Sequence, residues 1–146
     1  MENRKIGIIG CGNISAVYLK NLREQFEGVE VCAVCDTNRV LAERAAETYH
    51  IPYVYDNADE LCKNPEIRTI VVLTTPGTHA ELCKKALLAG KNAYCEKPLG
   101  TDLKAAAEVV QIAREKGLHI GCAPDTYMGA AIQTGHKLIK DGWIGL

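Results

Sequence analysis

The stretch KIGIIGCGNIS, residues 5–15, is the part of the sequence that decides the fold. A short apolar run ends at Gly10, Gly12 follows after one residue, and Ser15 stands where a third glycine is often found. Between a strand and a helix, this spacing predicts a loop that binds the pyrophosphate of a dinucleotide. The alternative is a strand–turn–helix unit that binds no ligand, so the surrounding sequence has to decide.

Apolar runs and amphipathic segments alternate along the rest of the chain. Several runs are continuous, such as residues 70–73, which contain no polar residue. Continuous runs are typical of strands that are buried on both faces of a parallel sheet. We therefore predict a doubly wound α/β fold with a mainly parallel sheet of about six strands. The strands are expected at residues 5–10, 29–36, 53–55, 67–75, 92–97 and 119–124.

The segments between the runs carry signals for the start of a helix. Thr78 is followed by Glu81 at the spacing of a capping box, in which both side chains bond backbone N–H groups at the helix start. Asn57 and Glu60 have the same spacing. Helices are predicted from these two starts, and also over residues 38–49, 102–116 and 127–140.

Each position of the first loop has a physical role in the dinucleotide interpretation. Gly10 permits a tight turn, and Gly12 lets the backbone approach the pyrophosphate at the amino end of the next helix. The third position requires only a small side chain, and Ser15 meets that requirement. We therefore predict that the cofactor is contacted by Gly10, Gly12, Asn13 and Ile14.

The second apolar run ends in an acid at the distance that a dinucleotide site requires. Asp36 lies 24 residues after Gly12, where a carboxylate can accept hydrogen bonds from the ribose hydroxyls. The same carboxylate would repel the 2′-phosphate of NADP, so NAD is the predicted cofactor and NADP the less favoured one. Arg39 leaves NADP open, because an arginine beyond the acid can hold that phosphate.

Two later runs also end in polar residues, at the edge of the sheet where ligands bind. Thr74, Thr75 and Pro76 are predicted to line the cofactor site, and His79 either contacts the cofactor, shapes the site, or is a packing or surface residue. Glu96 and Lys97 follow the fifth run, and a lysine there can act as an acid–base group. The alternative for this last pair is a surface ion pair in a turn that Pro98 fixes.

Composition excludes several classes of protein. The net charge is −1 and no long basic run occurs, so nucleic acid is not a predicted partner. No apolar stretch is long enough to cross a membrane, and the amino terminus does not resemble a signal peptide. Seven cysteines, an odd number mostly within apolar runs, suggest buried thiols in a reducing, cytoplasmic location. Cys32 and Cys35 are expected on opposite faces of a strand, and no metal site is predicted.

These segments together resemble the amino-terminal half of the Gfo/Idh/MocA oxidoreductases. The similarity is carried by IGIIGCGNIS (6–15), VCAVCD (31–36), TTPGTHAELCKKALLAGKNAYCEKPL (74–99) and LIKDGWIG (138–145). It implies a Rossmann domain that binds NAD or NADP, followed by an α+β domain. It also implies oxidation of a hydroxyl of a sugar, cyclitol or related polyol, or the reverse reaction. Lys97 would lie near the nicotinamide as the catalytic residue, with Glu96 and a cis Lys97–Pro98 bond holding its loop.

The resemblance also sets expectations for the domains and partners. Residues 1–125 are predicted to form the dinucleotide-binding domain, and residues 126–146 a helix and the start of a connection to a substrate domain that this chain lacks. The stretch from Cys122 to Tyr127 departs from the motif of many members, which leaves the substrate open. We expect the chain to be an inactive piece of a homo-oligomeric dehydrogenase. An NAD-dependent glycosidase and a non-catalytic NAD-binding module remain alternatives.

Overall fold

Six parallel strands form one sheet in the computed structural model, which describes residues 4–144. The strands are β1 (Arg4–Ile9), β2 (Val29–Cys35), β3 (Tyr53–Tyr55), β4 (Thr69–Val72), β5 (Asn92–Cys95) and β6 (Ile120–Cys122). They lie in the order β3-β2-β1-β4-β5-β6, and every neighbouring pair is parallel. The predicted doubly wound α/β fold is confirmed, and residues 4–144 contain no second α+β domain. The outermost residues of the two predicted domains, 1–3 and 145–146, lie outside the described part.

Six α-helices connect or follow the strands. They are α1 (Ser15–Glu24), α2 (Arg39–Tyr49), α3 (Ala58–Lys63), α4 (His79–Leu88), α5 (Leu103–Lys116) and α6 (Ala130–Lys140), with 3-10 turns at Pro76–Thr78 and Asp125–Met128. Asn57 caps α3 as predicted, because its side chain accepts a hydrogen bond from the backbone N–H of Asp59 at 2.8 Å. None of the helices in residues 4–144 is long and apolar enough to cross a membrane.

The capping box predicted at Thr78 and Glu81 is wrong. Thr78 has a helical backbone conformation, since the 3-10 turn leads straight into α4, and its side chain caps no N–H. The hydroxyl instead bonds the hydroxyl of Thr74 at 2.7 Å and donates to the carbonyl of Thr75 at 2.9 Å. The threonine therefore orders the loop after β4 rather than the start of α4.

Both faces of the sheet are buried, as the continuous apolar runs predicted. One core cluster packs the sheet against α1 and α2, and the other packs it against α3, α4 and α5. Successive strand residues alternate between the clusters: Ile8, Val34 and Val71 belong to the first, and Ile9, Cys35 and Val72 to the second. This covering leaves the two ends of the sheet, rather than its faces, available for ligands.

The cysteines are core residues, as predicted, although one detail of their placement was wrong. All seven are free thiols, and six of them are buried. Cys32 and Cys35 belong to the same core cluster rather than to opposite faces. The reason is a register shift between Ile6 and Gly7, which interrupts the simple alternation along β2.

Candidate functional site

The carboxyl ends of β1, β2 and β4 surround a cleft of about 550 Å³. β1 lies at the centre of the sheet, where the strand order reverses, and such a switch point is where ligands bind in doubly wound folds. The cleft brings together six of the predicted cofactor residues: Gly10, Gly12, Asn13, Asp36, Thr74 and Thr75. A larger hollow of about 720 Å³ lies at the amino ends of the strands and contains none of the predicted site residues.

The two glycines of the first loop meet different surroundings. Gly10 has φ +101°, and a Cβ atom there would lie 2.7 Å from the carbonyl carbon of Leu73. A Cβ atom at Gly12 would meet nothing within 4 Å, so it would project into open space. Gly10 is thus required by the protein's own backbone. Gly12 leaves room at the amino end of α1, where a pyrophosphate would fit.

Ser15 replaces the third glycine of the motif without disturbing the loop. Its side chain is 4 % exposed, and its hydroxyl donates to the carbonyl of Gly12 at 2.6 Å. Its backbone N–H bonds the same carbonyl at 3.1 Å. The serine therefore closes the turn at the start of α1, in agreement with the requirement for a small residue.

Asp36 is fixed at the edge of the cleft by backbone groups. One carboxylate oxygen accepts from the N–H of Cys11 and the other from the N–H of Asn38, both at 2.8 Å. A carboxylate held in this way needs no further ordering to accept hydrogen bonds from a ribose. Arg39, three residues after Asp36, forms ion pairs with Glu43 at 2.8 Å and with Asp56 at 3.5 Å.

Two buried thiols near this carboxylate have raised pKa values. Burial, followed by the negative charge of Asp36, raises the pKa of Cys11 to about 12 and the pKa of Cys35 to about 12. A thiol must lose its proton to act as a nucleophile or a metal ligand. These cysteines therefore serve as small apolar residues beside the cleft.

A second cleft of about 400 Å³ lies next to the first, at the end of β5. Its lining includes the predicted residues Ile14, Glu96 and Lys97. Glu96 accepts a hydrogen bond from the Tyr18 hydroxyl at 2.7 Å through one carboxylate oxygen, and from the backbone N–H of Lys97 at 3.0 Å through the other. The Lys97–Pro98 bond is cis, as the resemblance implied.

Tyr18 and Tyr94 line this second cleft and were not predicted from the sequence. Burial, followed by the hydrogen bond to Glu96, raises the pKa of Tyr18, so its hydroxyl stays protonated and donates. Burial also raises the pKa of Tyr94. Glu96 is 78 positions from Tyr18, and no local motif joins them. The only signal in the sequence was an aromatic residue one turn into α1.

His79 and Pro76 line neither cleft. His79 is 1 % exposed, and its Nδ1 atom lies 2.7 Å from the carbonyl oxygen of Pro98. Its Nε2 atom lies 2.9 Å from the carbonyl oxygen of Thr74. Of the roles considered for His79, burial under the loops favours shaping the site. Pro76 lies in the 3-10 turn after Thr75.

The family model that describes an oxidoreductase family with an NAD-binding Rossmann fold, GFO_IDH_MocA, matches residues 4–123. The chain belongs to this family. The resemblance and the NAD-binding class of the domain are thereby confirmed. The roles of individual residues in the two clefts remain predictions.

Curated relatives in the Gfo/Idh/MocA family include several inositol dehydrogenases. Inositol 2-dehydrogenase/D-chiro-inositol 3-dehydrogenase of Lactiplantibacillus plantarum is 31 % identical over 145 residues, which cover 97 % of this chain and 41 % of that protein. Inositol 2-dehydrogenase of Paracoccus denitrificans is 34 % identical over 115 residues, covering 77 % of this chain and 34 % of that protein. The chain thus spans less than half the length of these relatives.

A solved structure of the same architecture is scyllo-inositol dehydrogenase from Lactobacillus casei with bound NAD(H) and scyllo-inositol. It superposes with a TM-score of 0.85 at 21 % identity, over 99 % of this chain and 43 % of that one. At this identity the likeness shows the shared Gfo/Idh/MocA fold and does not transfer residue roles. The superposed region extends over nearly the whole chain, including α6.

Proposed function

We propose that the chain is the NAD-binding part of a dehydrogenase that oxidises a hydroxyl of a cyclitol or related polyol to a ketone, or catalyses the reverse. The observation that carries the proposal is the presence of two clefts at the carboxyl end of the sheet, one at the switch point and the other at the end of β5. The first has the glycine loop and acid of a dinucleotide site, and the second has a lysine. The inositol dehydrogenases among the relatives support the substrate class.

The cofactor-binding residues of the proposal divide between the two clefts. Residues of the first cleft are expected to hold the adenosine, ribose and pyrophosphate, and residues of the second to adjoin the nicotinamide. The proposed contacts are Gly10, Gly12, Asn13, Asp36, Thr74 and Thr75 in the first cleft, and Ile14, Glu96 and Lys97 in the second. Pro76, which lines neither cleft, stays among the proposed contacts as the residue that follows Thr75. His79 was also among the predicted contacts, and its burial favours an indirect role.

NAD is the proposed cofactor in preference to NADP. Asp36 is held by two backbone N–H groups at the edge of the first cleft. Its negative charge would repel the additional 2′-phosphate of NADP at the ribose. Arg39 pairs with Glu43 and Asp56 through exposed groups, and such ion pairs are weak. The arginine alternative therefore stays open, and the preference for NAD rests on Asp36.

Lys97 is the proposed catalytic residue. The cofactor, when bound, supplies the hydride acceptor or donor. The ammonium group of Lys97 would orient the substrate hydroxyl and exchange a proton with its oxygen. Glu96 holds the backbone N–H of Lys97, so the carboxylate fixes the turn that carries the lysine.

The proposal extends to a second domain and to self-association. Exposed apolar side chains follow β6 and continue along α6, which makes its main contacts with the turn before it. They are Tyr127, Met128, Ile132, Leu138, Ile139, Trp143 and Ile144. We propose that this surface packs on a substrate domain, which would supply the other wall of the second cleft. Without that wall the chain would bind NAD, turn over no substrate and associate with itself.

We also propose a cytoplasmic location for the protein.

Calorimetric titration with NAD and NADP tests the cofactor assignment. The wild type should bind NAD more tightly than NADP. Asp36→Ala should weaken NAD binding by roughly 10- to 100-fold, the usual effect of losing hydrogen bonds to a charged group. The same variant should also bind NAD and NADP with more similar affinities, because the charge that repels the 2′-phosphate is gone. Glu47→Ala, which removes an exposed carboxylate of α2 outside the first cleft, is the matched control. Absence of NAD binding at millimolar concentration would reject the proposal.

Light scattering tests the apolar surface. The wild type should form dimers or larger species as its concentration rises. The double variant Ile132→Asp/Ile139→Asp should remain monomeric, because two charges would have to be buried. Lys140→Asp, at an exposed position of the same helix, should associate as the wild type does. A wild type that stays monomeric at high concentration contradicts self-association through this surface.

A further inference from the structure

The Glu96-Lys97-Pro98 turn is attached to the cofactor loops by two side chains from distant elements. His79 lies at the start of α4 and contacts the carbonyl oxygen of Pro98, and Tyr18 lies in α1 and bonds the carboxylate of Glu96. We propose that His79 and Tyr18 are positioning residues that fix Lys97 relative to the nicotinamide. This inference rests on the proposed function, since it assigns a purpose to two side chains around the same site.

The His79 imidazole ring joins the loop after β4 to the loop after β5. Its two nitrogens lie 2.9 Å from the carbonyl oxygen of Thr74 and 2.7 Å from that of Pro98. A neutral imidazole has one N–H, so the ring donates a hydrogen bond to one of these carbonyl oxygens and packs against the other. The ring is 1 % exposed, so water does not compete for these contacts. Movement of one loop therefore alters the contact with the other.

Tyr18 joins the turn to the glycine loop. Its helix begins at Ser15, directly after the loop, and its hydroxyl donates to one oxygen of Glu96 at 2.7 Å. The other oxygen accepts from the N–H of Lys97 at 3.0 Å. The carboxylate thus lies between Tyr18 and Lys97, and hydrogen bonds to a charged group are stronger than neutral ones.

The two attachments start from different walls of the first cleft. Tyr18 follows the wall that contains Gly12, and His79 follows the wall that contains Thr74. A turn held from both walls keeps a fixed position relative to a dinucleotide bound between them. A small displacement of a catalytic group strongly lowers the reaction rate. Holding the turn in place would therefore keep Lys97 in position next to the reacting atoms.

A comparison of two ligands separates positioning from general stabilisation. NAD would contact both clefts. ADP-ribose lacks the nicotinamide, so it would occupy only the first cleft. Tyr18→Phe and His79→Gln should weaken NAD binding by roughly 3- to 10-fold, the effect of one lost hydrogen bond, and leave ADP-ribose binding unchanged. A loss of fold stability alone would weaken the binding of NAD and of ADP-ribose equally.

Matched variants control for the chemical change. Tyr49→Phe removes a tyrosine hydroxyl that bonds a backbone carbonyl, that of Ala16, without touching the turn. His119→Gln changes an exposed histidine at the opposite end of the sheet. Both should bind NAD and ADP-ribose as the wild type does. Thermal unfolding of every variant identifies any that fails to fold, and Tyr18→Phe, the smaller change, then decides the test.

Three outcomes would overturn the inference. The first is an unchanged NAD affinity in Tyr18→Phe and His79→Gln, and the second is an equal loss for both ligands. The third is a wild type that binds NAD and ADP-ribose with the same affinity, since the turn would then add nothing to nicotinamide binding. A wild type that binds neither ligand would reject the proposed function itself.

Discussion

The two clefts at the carboxyl end of the sheet are built in different ways. The first is formed largely by backbone: Gly10 approaches Leu73, and Asp36 is held by two N–H groups. The second is held by side chains, since the turn that carries Lys97 is attached through Glu96 and its partner on α1. A backbone-built site depends on local conformation, whereas a side-chain-built site depends on residues far apart in the chain.

This difference decides which substitutions damage the fold and which damage only the site. Gly10 directly follows β1 and lies against the backbone of Leu73, which directly follows β4, so a change at this contact affects the pairing of the two strands. The hydrogen bond from Tyr18 to Glu96 connects two partly exposed groups, and a bond of this kind typically contributes about 1 kcal/mol to stability. Damage to the close backbone contact at Gly10 should therefore appear mainly as unfolding.

Gly10→Ala should give the largest loss of stability. A methyl group would lie 2.7 Å from the Leu73 backbone, which cannot move without shifting β4, and φ +101° disfavours any side chain. The conformational and packing penalties together predict a decrease of about 2–5 kcal/mol in the free energy of unfolding. Chemical denaturation monitored by circular dichroism measures it.

Gly12→Ala is the control, because a Cβ atom there meets nothing within 4 Å. This variant should keep wild-type stability. It should lose roughly tenfold or more in NAD affinity, since its methyl group would enter the space of the pyrophosphate. Equal stabilities of the two alanine variants would contradict the description of the first cleft as part of the packing between β1 and β4.

The first cleft could be predicted from the sequence because its signals are local. The spacing of Gly10, Gly12 and Asp36 specifies a strand, a turn and a helix within one βαβ unit, and the structure has this arrangement. The continuous apolar runs likewise predicted a sheet that is buried on both faces. Each inference needed only residues close together in the chain.

The supports of the second cleft could not be predicted, because they join residues from different elements. Local sequence at His79 shows a polar residue in a first helical turn and gives no sign that the ring is buried against Thr74 and Pro98. The capping box failed at Thr78 for a related reason, since a 3-10 turn directs that side chain towards Thr74. Tertiary contacts override local preference at both positions.

The thiols near the two clefts give a second, smaller test of the comparison. Burial and Asp36 raise the pKa of Cys11 from 9.0 to about 12, and burial and Cys95 raise the pKa of Cys122 to about 11. In the unfolded chain each thiol loses its proton near its ordinary value, while the folded chain retains it. The stabilisation is therefore complete below about pH 9 and is lost as the pH rises towards the folded value.

Cys11→Ala should flatten this alkaline loss of stability. Between about pH 8 and 10.5, the thiol of Cys11 should account for about 1–2 kcal/mol of the decrease in the free energy of unfolding. Denaturation curves across that range measure the slope for the wild type and the variant. Cys122→Ala should also flatten the slope, because burial and Cys95 raise the pKa of that thiol in the same direction. Identical slopes for the wild type and Cys11→Ala would contradict a pKa of Cys11 that is raised by burial and by Asp36.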